Sequence, residues 1–323
     1  MSNIEVVGLG ALNIDHIYRV ERILDDGESV VNESISSPGG SAANTIYGLA
    51  KLGINTGFIG VLGDDAEGKT LLQDFQKAGV DTSQIRVKPK ARTGSVLCLS
   101  DKLGRRSLYV SPGANSLLAI DDLDLTYINQ AGWLHLSSFA DDRQFRVLLE
   151  LIDRLDVSTR ISFAPGALYA SKGLKGLLPI LSRTHVLFIN QDEIRQLTGK
   201  DVIAGAETCL EQGCHIVAVT LGKGMRLESG GAIAVSYIRD AGNKYIIEPH
   251  SQNVVPEVDT TGAGDAFATG FIYGLLKGKG LQECGLLGGI VARLSMNKVG
   301  ARQGLPHFKE LARYYRKLCN KQL

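Results

Sequence analysis

Short apolar runs alternate with amphipathic stretches along most of this chain, and that alternation restricts the fold more than any single residue does. Ile4–Leu9, Thr56–Leu62, Trp133–Ser137, Thr159–Phe163, His185–Ile189 and His215–Leu221 read as buried strands. Most are followed by a helical pattern, such as Gly68–Ala78, Arg143–Leu155 or Ala204–Gln212. Strands apolar on both faces need cover on both, which strand–helix alternation supplies as a parallel sheet between helix layers. Two regions break the rhythm. Asp15–Ser37 is polar and β-rich, and Thr93–Ser100 and Arg105–Ser111 flank a hairpin-type turn at Asp101-Lys102-Leu103-Gly104. Lacking a helix, these segments are expected to form a small separate sheet. Helices are expected again at Gly264–Leu276, Leu281–Asn297 and Phe308–Lys321.

Composition narrows the function classes. The 323 residues carry 35 Lys and Arg against 34 Asp and Glu, a net charge of +1 without a basic block. That argues against a partner held by bulk charge, whether nucleic acid or membrane surface. No apolar run is long enough for a spanning helix. Met1–Glu5 has no basic, then apolar, leader pattern, and the five cysteines show no C-x-x-C spacing. The expectation is a reduced, cytoplasmic chain without a disulfide framework or zinc site. The 38 glycines exceed the roughly 7% that is usual, and follow no collagen period. They are expected at turns and where backbone approaches a ligand.

Five motifs carry chemistry. Gly63-Asp64-Asp65-Ala66-Glu67-Gly68-Lys69-Thr70 matches the Walker A pattern between a strand and a helix. Its three carboxylates would repel a polyphosphate, and no strand ends in a Walker B aspartate; a capped helix start is the competing reading. Gly8-Leu9-Gly10-Ala11-Leu12-Asn13 approaches a dinucleotide fingerprint, but no helix follows. Asn13 and Asp15 then lie past the carboxyl end of the first strand, where they could grip hydroxyls or merely shape a turn. Pro38-Gly39-Gly40-Ser41-Ala42-Ala43-Asn44 lets a ligand lie against backbone at a helix start, with Asn44 as a hydrogen-bonding group; the plainer reading has Ser41 capping that helix.

Asn190 and Glu193 share one face of a helix turn, either to orient Mg²⁺ through its waters or as a capping box. The most specific motif is Asp259-Thr260-Thr261-Gly262-Ala263-Gly264-Asp265-Ala266-Phe267. Its glycines open consecutive amides at a helix N-terminus, an anion hole. A carboxylate is awkward beside such a hole for simple binding but well placed for proton transfer. Asp265 would take a proton from a hydroxyl attacking a γ-phosphate. Otherwise it is a first-turn acid favoured by the helix dipole.

The 39–44, 190–193, 220–222 and 259–265 motifs occur in the order seen in the ribokinase (PfkB-type) family of sugar and nucleoside kinases, which the chain resembles over nearly its whole length. Val61–Gly68 also looks like a family element, a surface-helix start, which makes the Walker match accidental. The resemblance implies a three-layer α/β/α fold with a mostly parallel sheet and a small β-sheet lid. It implies one kinase domain over 1–323, with the lid formed by about 13–37 and 92–112.

It further implies an ATP- and Mg²⁺-dependent kinase acting on a hydroxymethyl group of a small sugar. A nucleoside kinase is the alternative, and a P-loop NTPase using 63–70 a distant one. Carried over by position, Asp265 is the base, and Gly262, Ala263 and Gly264 form the anion hole. Asn13, Asp15, Gly39, Gly40 and Asn44 hold the acceptor. Asn190, Thr220 and Gly222 serve ATP, and Glu193 serves Mg²⁺ through water. Asp259 and Thr261, with the Gly300-Ala301 loop, match a site for a monovalent cation such as K⁺. Pairing of lids would give a homodimer. The sequence departs from the family at Met225, Thr269, Phe139 and Ala164, and Phe139 or Leu97 would be available to wall a base slot.

Overall fold

In the computed structural model, which describes residues 4–103, 105–227, 232–249 and 258–323, the first apolar run becomes β1 (Val6–Leu9), buried at every residue. The chain leaves the main sheet through β2 (Asn13–Val20) and β3 (Val31–Gly39), then returns in α1 (Ser41–Lys51) and β4 (Thr56–Gly63). After α2 (Ala66–Ala78) and β5 (Ile85–Lys88) it leaves again through β6 (Gly94–Asp101) and β7 (Arg106–Ser111). Alternation resumes with α3 (Leu125–Ala131), β8 (Trp133–Ser137), α4 (Asp142–Arg154), β9 (Arg160–Ala164), α5 (Gly166–Ala170) and α6 (Gly173–Leu181). It continues through β10 (Thr184–Asn190), α7 (Gln191–Thr198), α8 (Val202–Glu211) and β11 (Ile216–Arg226). Then come β12 (Ile233–Asp240), β13 (Lys244–Ile247), α9 (Ala263–Leu276), α10 (Leu281–Ser295) and α11 (Phe308–Cys319).

The main sheet has the order β13-β12-β11-β10-β9-β8-β1-β4-β5. Strands β11 to β5 pair in parallel, and β12 and β13 add an antiparallel edge. Successive strand residues point to opposite faces. Val6, Phe58 and Val186 accordingly join one core with α1, α9, α10 and α11, while Val7, Ile59 and Leu187 join another with α3, α4, α6, α7 and α8. This is the expected helix–sheet–helix layering. Helix α4 shows how local signals set an element: Asp141 caps it by accepting from Arg143 N, and Phe145, Leu148, Leu151 and Ile152 form its buried stripe.

The second sheet, β3-β2-β6-β7, comprises the two segments that break the alternation. Its β2–β6 pairing is parallel, and β6–β7 is an antiparallel hairpin closed by the short turn expected at 101–104. Gly104 of that turn, like Met1–Asn3, lies outside the described residues. Asn13, at the root of this lid, pairs with Gly39 on one side and Gly94 on the other. The lid's hinge is therefore built from residues of the candidate site. Strand β5 and helices α5 and α6 go beyond what the sequence pattern shows. β5 is four residues with Arg86 and Val87 exposed, and α6 carries Pro179 in its interior, so neither has a clean period. Among the described residues no helix is long and apolar enough to cross a membrane.

Candidate active site

Two helix N-termini, those of α1 and α9, meet at Asp265. Ser41 Oγ donates to Asp265 Oδ1 at 2.7 Å, and Asn44 Nδ2 donates to Oδ2 at 2.8 Å. The Asp265 carbonyl accepts from Thr269 Oγ1 at 2.9 Å and Thr45 Oγ1 at 3.3 Å. Thr269 fits because Gly48 faces it; a Cβ at Gly48 would lie 2.7 Å from its hydroxyl. The expectation that Ser41 caps α1 is corrected here. Gly40 is the cap residue, without a side-chain bond, because Asp265 takes the serine hydroxyl.

Burial pushes the Asp265 carboxyl up to about 6, against the pull of Asn44, Ser41 and Arg302; nearby Glu193 adds to the rise. Such a carboxylate is ionised at neutral pH yet accepts a proton more readily than an ordinary aspartate.

The turn expected to form an anion hole differs from expectation at one amide. Gly262 precedes α9 at φ 75°, and a Cβ there would come within 2.6 Å of Ala301 Cβ. Both conformation and space demand glycine. Gly264 differs: a Cβ there would meet nothing within 4 Å. No described protein atom requires that glycine, so the open space in front of it is the cue for a ligand. Ala263 N, expected to face the anion, donates to Thr260 O at 3.2 Å and shapes the turn instead. Thus Gly262 and Gly264, with the Asp265 amide in place of Ala263's, are the available donors.

Among the residues expected to hold the acceptor, Asp15 lies against Gly39, where a Cβ would come within 2.3 Å of its carboxylate. Burial, with a contribution from Asp265, raises Asp15 to about 7 despite the positive charge of Arg302. Asn13 is buried, its Oδ1 accepting from Asn115 Nδ2 at 2.9 Å; Asn115 also fixes both backbone groups of Leu12. Asn44 is buried with both ends engaged, its Oδ1 accepting from Arg302 Nε at 2.9 Å. Its amide keeps one further N–H and one lone pair, but the two bonds shown place it first as a support for Asp265. No local sequence pattern marks Arg302, because its partners are remote in the chain.

Of the residues expected to hold ATP, Thr220 and Gly222 line a cavity of about 560 Å³ with Ala263, Gly264 and Phe267. Its walls are largely apolar, including Val235, Ile247 and Ile290. Asn190 and Glu193 form the capping box of α7: Asn190 Oδ1 accepts from the Asp192 and Glu193 amides, and Glu193 Oε2 from Asn190 N at 3.0 Å. Burial, and then Asp192, raise Glu193 above the usual carboxylate range. Neither residue lines the nucleotide cavity.

A second cavity, about 790 Å³, lies under the lid between Ile17, Arg19 and Cys98 on one side and Asp259, Thr260 and Thr261 on the other. Lys223 and Thr260 line both cavities. Arg106 of β7 spans the lid cavity, its Nη2 donating to Asp259 Oδ1 at 3.0 Å and Thr260 Oγ1 at 2.6 Å. Neither Arg106 nor Lys223 stands out in the sequence; the glycines flanking Lys223 are the available signal.

The remaining motifs resolve as structure. Asp65 caps α2 by accepting from Gly68 N at 2.8 Å, and also takes Thr93 N and Oγ1. Lys69 is exposed, its ammonium 3.8 Å from Asp64. We expect Lys69→Ala to leave kcat and the KM for ATP at wild-type values. A collapse of ATP turnover in the folded variant would restore the P-loop reading. Gly8 and Gly10 serve packing: a Cβ would meet Ile46 at 2.3 Å from the first and Ser137 Oγ at 2.4 Å from the second. Phe139 is buried in the core, and Leu97 alternates with the cavity-lining Cys98, so neither walls a base slot.

This geometry matches known proteins over most of its length. The pfkB family carbohydrate kinase profile matches residues 3–307. A sugar kinase of Archaeoglobus fulgidus, itself uncharacterized, is 39% identical over 259 residues, covering 80% of this chain and 98% of that protein. The structure of Arabidopsis thaliana ribokinase with ribose and ATP is similar at a TM-score of 0.79 and 25% identity, covering 97% of this chain and 98% of that one. The Burkholderia thailandensis nucleoside kinase with inosine shares the fold at a TM-score of 0.80 and 18% identity, covering 98% and 100%. With a buried carboxylate at a glycine-flanked helix start and two cavities nearby already described, these likenesses identify the chain as a member of the pfkB family of carbohydrate kinases, phosphotransferases with an alcohol group as acceptor.

Proposed function

We propose that the enzyme transfers the γ-phosphoryl of ATP to the hydroxymethyl group of a small sugar, with Asp265 as the base. One observation carries this reading: Asp265 is held by two donors at the start of α9, beside amides that have no backbone partner among the described residues. The substrate hydroxyl would give its proton to Asp265 as its oxygen attacks. The Gly262 and Gly264 amides and the α9 dipole then oppose the charge developing on the transferred group. ATP would occupy the apolar cavity at Thr220 and Gly222, and the acceptor hydroxyl would lie against Asp15 and Asp265 at the lid root, beside the lid cavity, whose lining includes neither residue. Lys223, lining both, suits the phosphates between them.

Magnesium fits Glu193. A carboxylate has about four lone-pair sites, and the capping bond leaves others for water on the ion. The metal would neutralise phosphate charge; Asn190 orients Glu193 through the cap. A monovalent cation at Asp259 and Thr261 fits less well. Asp259 Oδ1 accepts from Thr261 N and Oγ1 and from Arg106, and Oδ2 accepts from Gly300 N at 2.8 Å. Arg106 supplies positive charge where the ion would. Equal kcat is therefore expected, at constant ionic strength, in K⁺ and in a bulky organic cation. Stimulation by K⁺ would return Asp259 and Thr261 to a cation site.

A nucleoside acceptor is the second reading, favoured by the apolar part of the lid cavity at Ile17, Val20, Cys98 and Val258. Coupled ADP release across pentoses, hexoses and nucleosides separates the two, since a sugar kinase turns over free sugars without a base. Lid pairing is also proposed: Leu97 and Tyr109, opposite each other on the lid, are exposed. Sedimentation velocity of the Leu97→Ser variant beside wild type tests it.

A further inference from the structure

Arg302 is 3% exposed and divides its guanidinium among three elements. Nε donates to Asn44 Oδ1 at 2.9 Å, Nη2 to the Gly39 carbonyl at 2.9 Å, and Nη1 to Asp74 Oδ2 at 2.7 Å. The aromatic rings of Phe75 and Tyr47 lie 5.0 and 5.3 Å from its central carbon. Two of the three contacts fall on the acceptor motif, and one of those, Asn44, holds Asp265.

We infer that Arg302 is a positioning residue for phosphoryl transfer, acting through Asn44 on Asp265 and through Gly39 on the floor beneath Asp15. The first link follows from the chemistry of the amide. An Asn side chain is nearly symmetric in shape, so packing alone does not decide which end faces which neighbour. Guanidinium only donates, so it fixes Oδ1 toward itself and turns Nδ2 toward the carboxylate. Reversed, Asn44 would set its oxygen against Asp265 and its amide protons against guanidinium. The second link is direct: Gly39 is the residue against which the Asp15 carboxylate packs, and Arg302 holds its carbonyl. Lysine has one charged nitrogen and no rigid fork, so it does not reproduce three directed bonds.

The charged surroundings agree. Asp265 is faced by Glu193 of α7, which disfavours its ionised form, and by Arg302, which favours it; Asp265 in turn disfavours the ionised form of Asp15 of β2. Asp15 is likewise helped by Arg302. Asp74 and Tyr47 face the guanidinium itself.

The inference rests on Asp265 being the base, and the variants are chosen so that the two claims fail separately. Arg302→Lys is expected to lower kcat about 10²-fold, the scale of a misplaced catalytic group, with the KM for ATP unchanged. The acid limb of its kcat/KM profile is expected to move to higher pH, because Asp265 loses a fixed donor in Asn44 while the lysine keeps the positive charge. Asp74→Asn removes the charge of the ion pair but keeps an oxygen that can accept from Arg302 Nη1; it should lower Tm and move kcat and the acid limb far less than Arg302→Lys does. If Arg302→Lys does not fold, Arg302→Gln takes its place: it keeps a donor for Asn44 but no charge, and its acid limb must also move up. A wild-type acid limb in the folded Arg302 variants, with Asp265→Asn inactive, overturns the positioning role alone. Wild-type kcat in Asp265→Asn overturns the base assignment beneath it.

Discussion

Asp265→Asn is expected to lower kcat by about 10²–10⁴, the usual range for loss of a general base, with the chain still folded and ATP still bound. The substitution keeps the size of the side chain and its place at the start of α9. What it removes is the capacity to take a proton. The same assignment sets a pH dependence. The base works only when ionised, so activity of the wild type should fall as pH drops through about 6, where burial has placed this carboxyl. Steady-state rates of both proteins between pH 5 and 9 check both statements. A variant with wild-type kcat, or a wild type whose rate holds steady well below pH 6, would remove Asp265 from the proton transfer.

Asp15→Asn should raise the KM for the acceptor about ten- to a hundredfold and leave the KM for ATP unchanged. A hydrogen bond to a charged group contributes about 1.5–3 kcal/mol, and the amide accepts less strongly than the carboxylate it replaces. Asp15 sits on the lid root, on the acceptor side of Gly39, away from the nucleotide cavity. The variant should also be more stable at high pH, and the sign follows from the raised pKa. With its pKa raised from 3.8 to about 7, the folded chain holds the Asp15 proton more tightly than the unfolded chain does. Above pH 7 the ionised carboxylate therefore weighs against folding, and below about pH 4 it is protonated in both states and has no effect. Tm of Asp15→Asn should exceed wild type at pH 8, with the difference gone by pH 4. An unchanged acceptor KM would take Asp15 out of the site; a lower Tm at pH 8 would show that its charge is stabilised rather than strained.

What can be read from the sequence is what is local in it. The parallel sheet is legible because each buried strand is a continuous apolar run, and the lid because its segments lack a helical period. The glycine-flanked start of α9 is legible because Gly262, Gly264 and Asp265 occupy a single turn. Ser41 misleads for the same reason. The local rule for a helix start makes serine a cap, but its hydroxyl goes to a carboxylate 224 residues away. Arg302 and Asn44 are 258 residues apart, Arg106 and Asp259 are 153, and Asn115 and Asn13 are 102. No spacing rule links such pairs, since the topology alone brings them together. Asn190 and Glu193 show the opposite case: their capping box is local and forms as their spacing allows.

The central claim is that Asp265 drives transfer of phosphate to a hydroxymethyl oxygen, and proton-coupled ³¹P NMR of the reaction mixture tests it most directly. With ATP and the acceptor found by the substrate panel, a new phosphate monoester signal is expected, split into a triplet by the two methylene protons beside the new ester oxygen. The same mixture with Asp265→Asn should show no such signal on that timescale. A doublet, marking a secondary or anomeric hydroxyl, would contradict the acceptor assignment. Free phosphate beside ADP with no monoester signal, or the triplet at an undiminished rate in the variant, would contradict the mechanism.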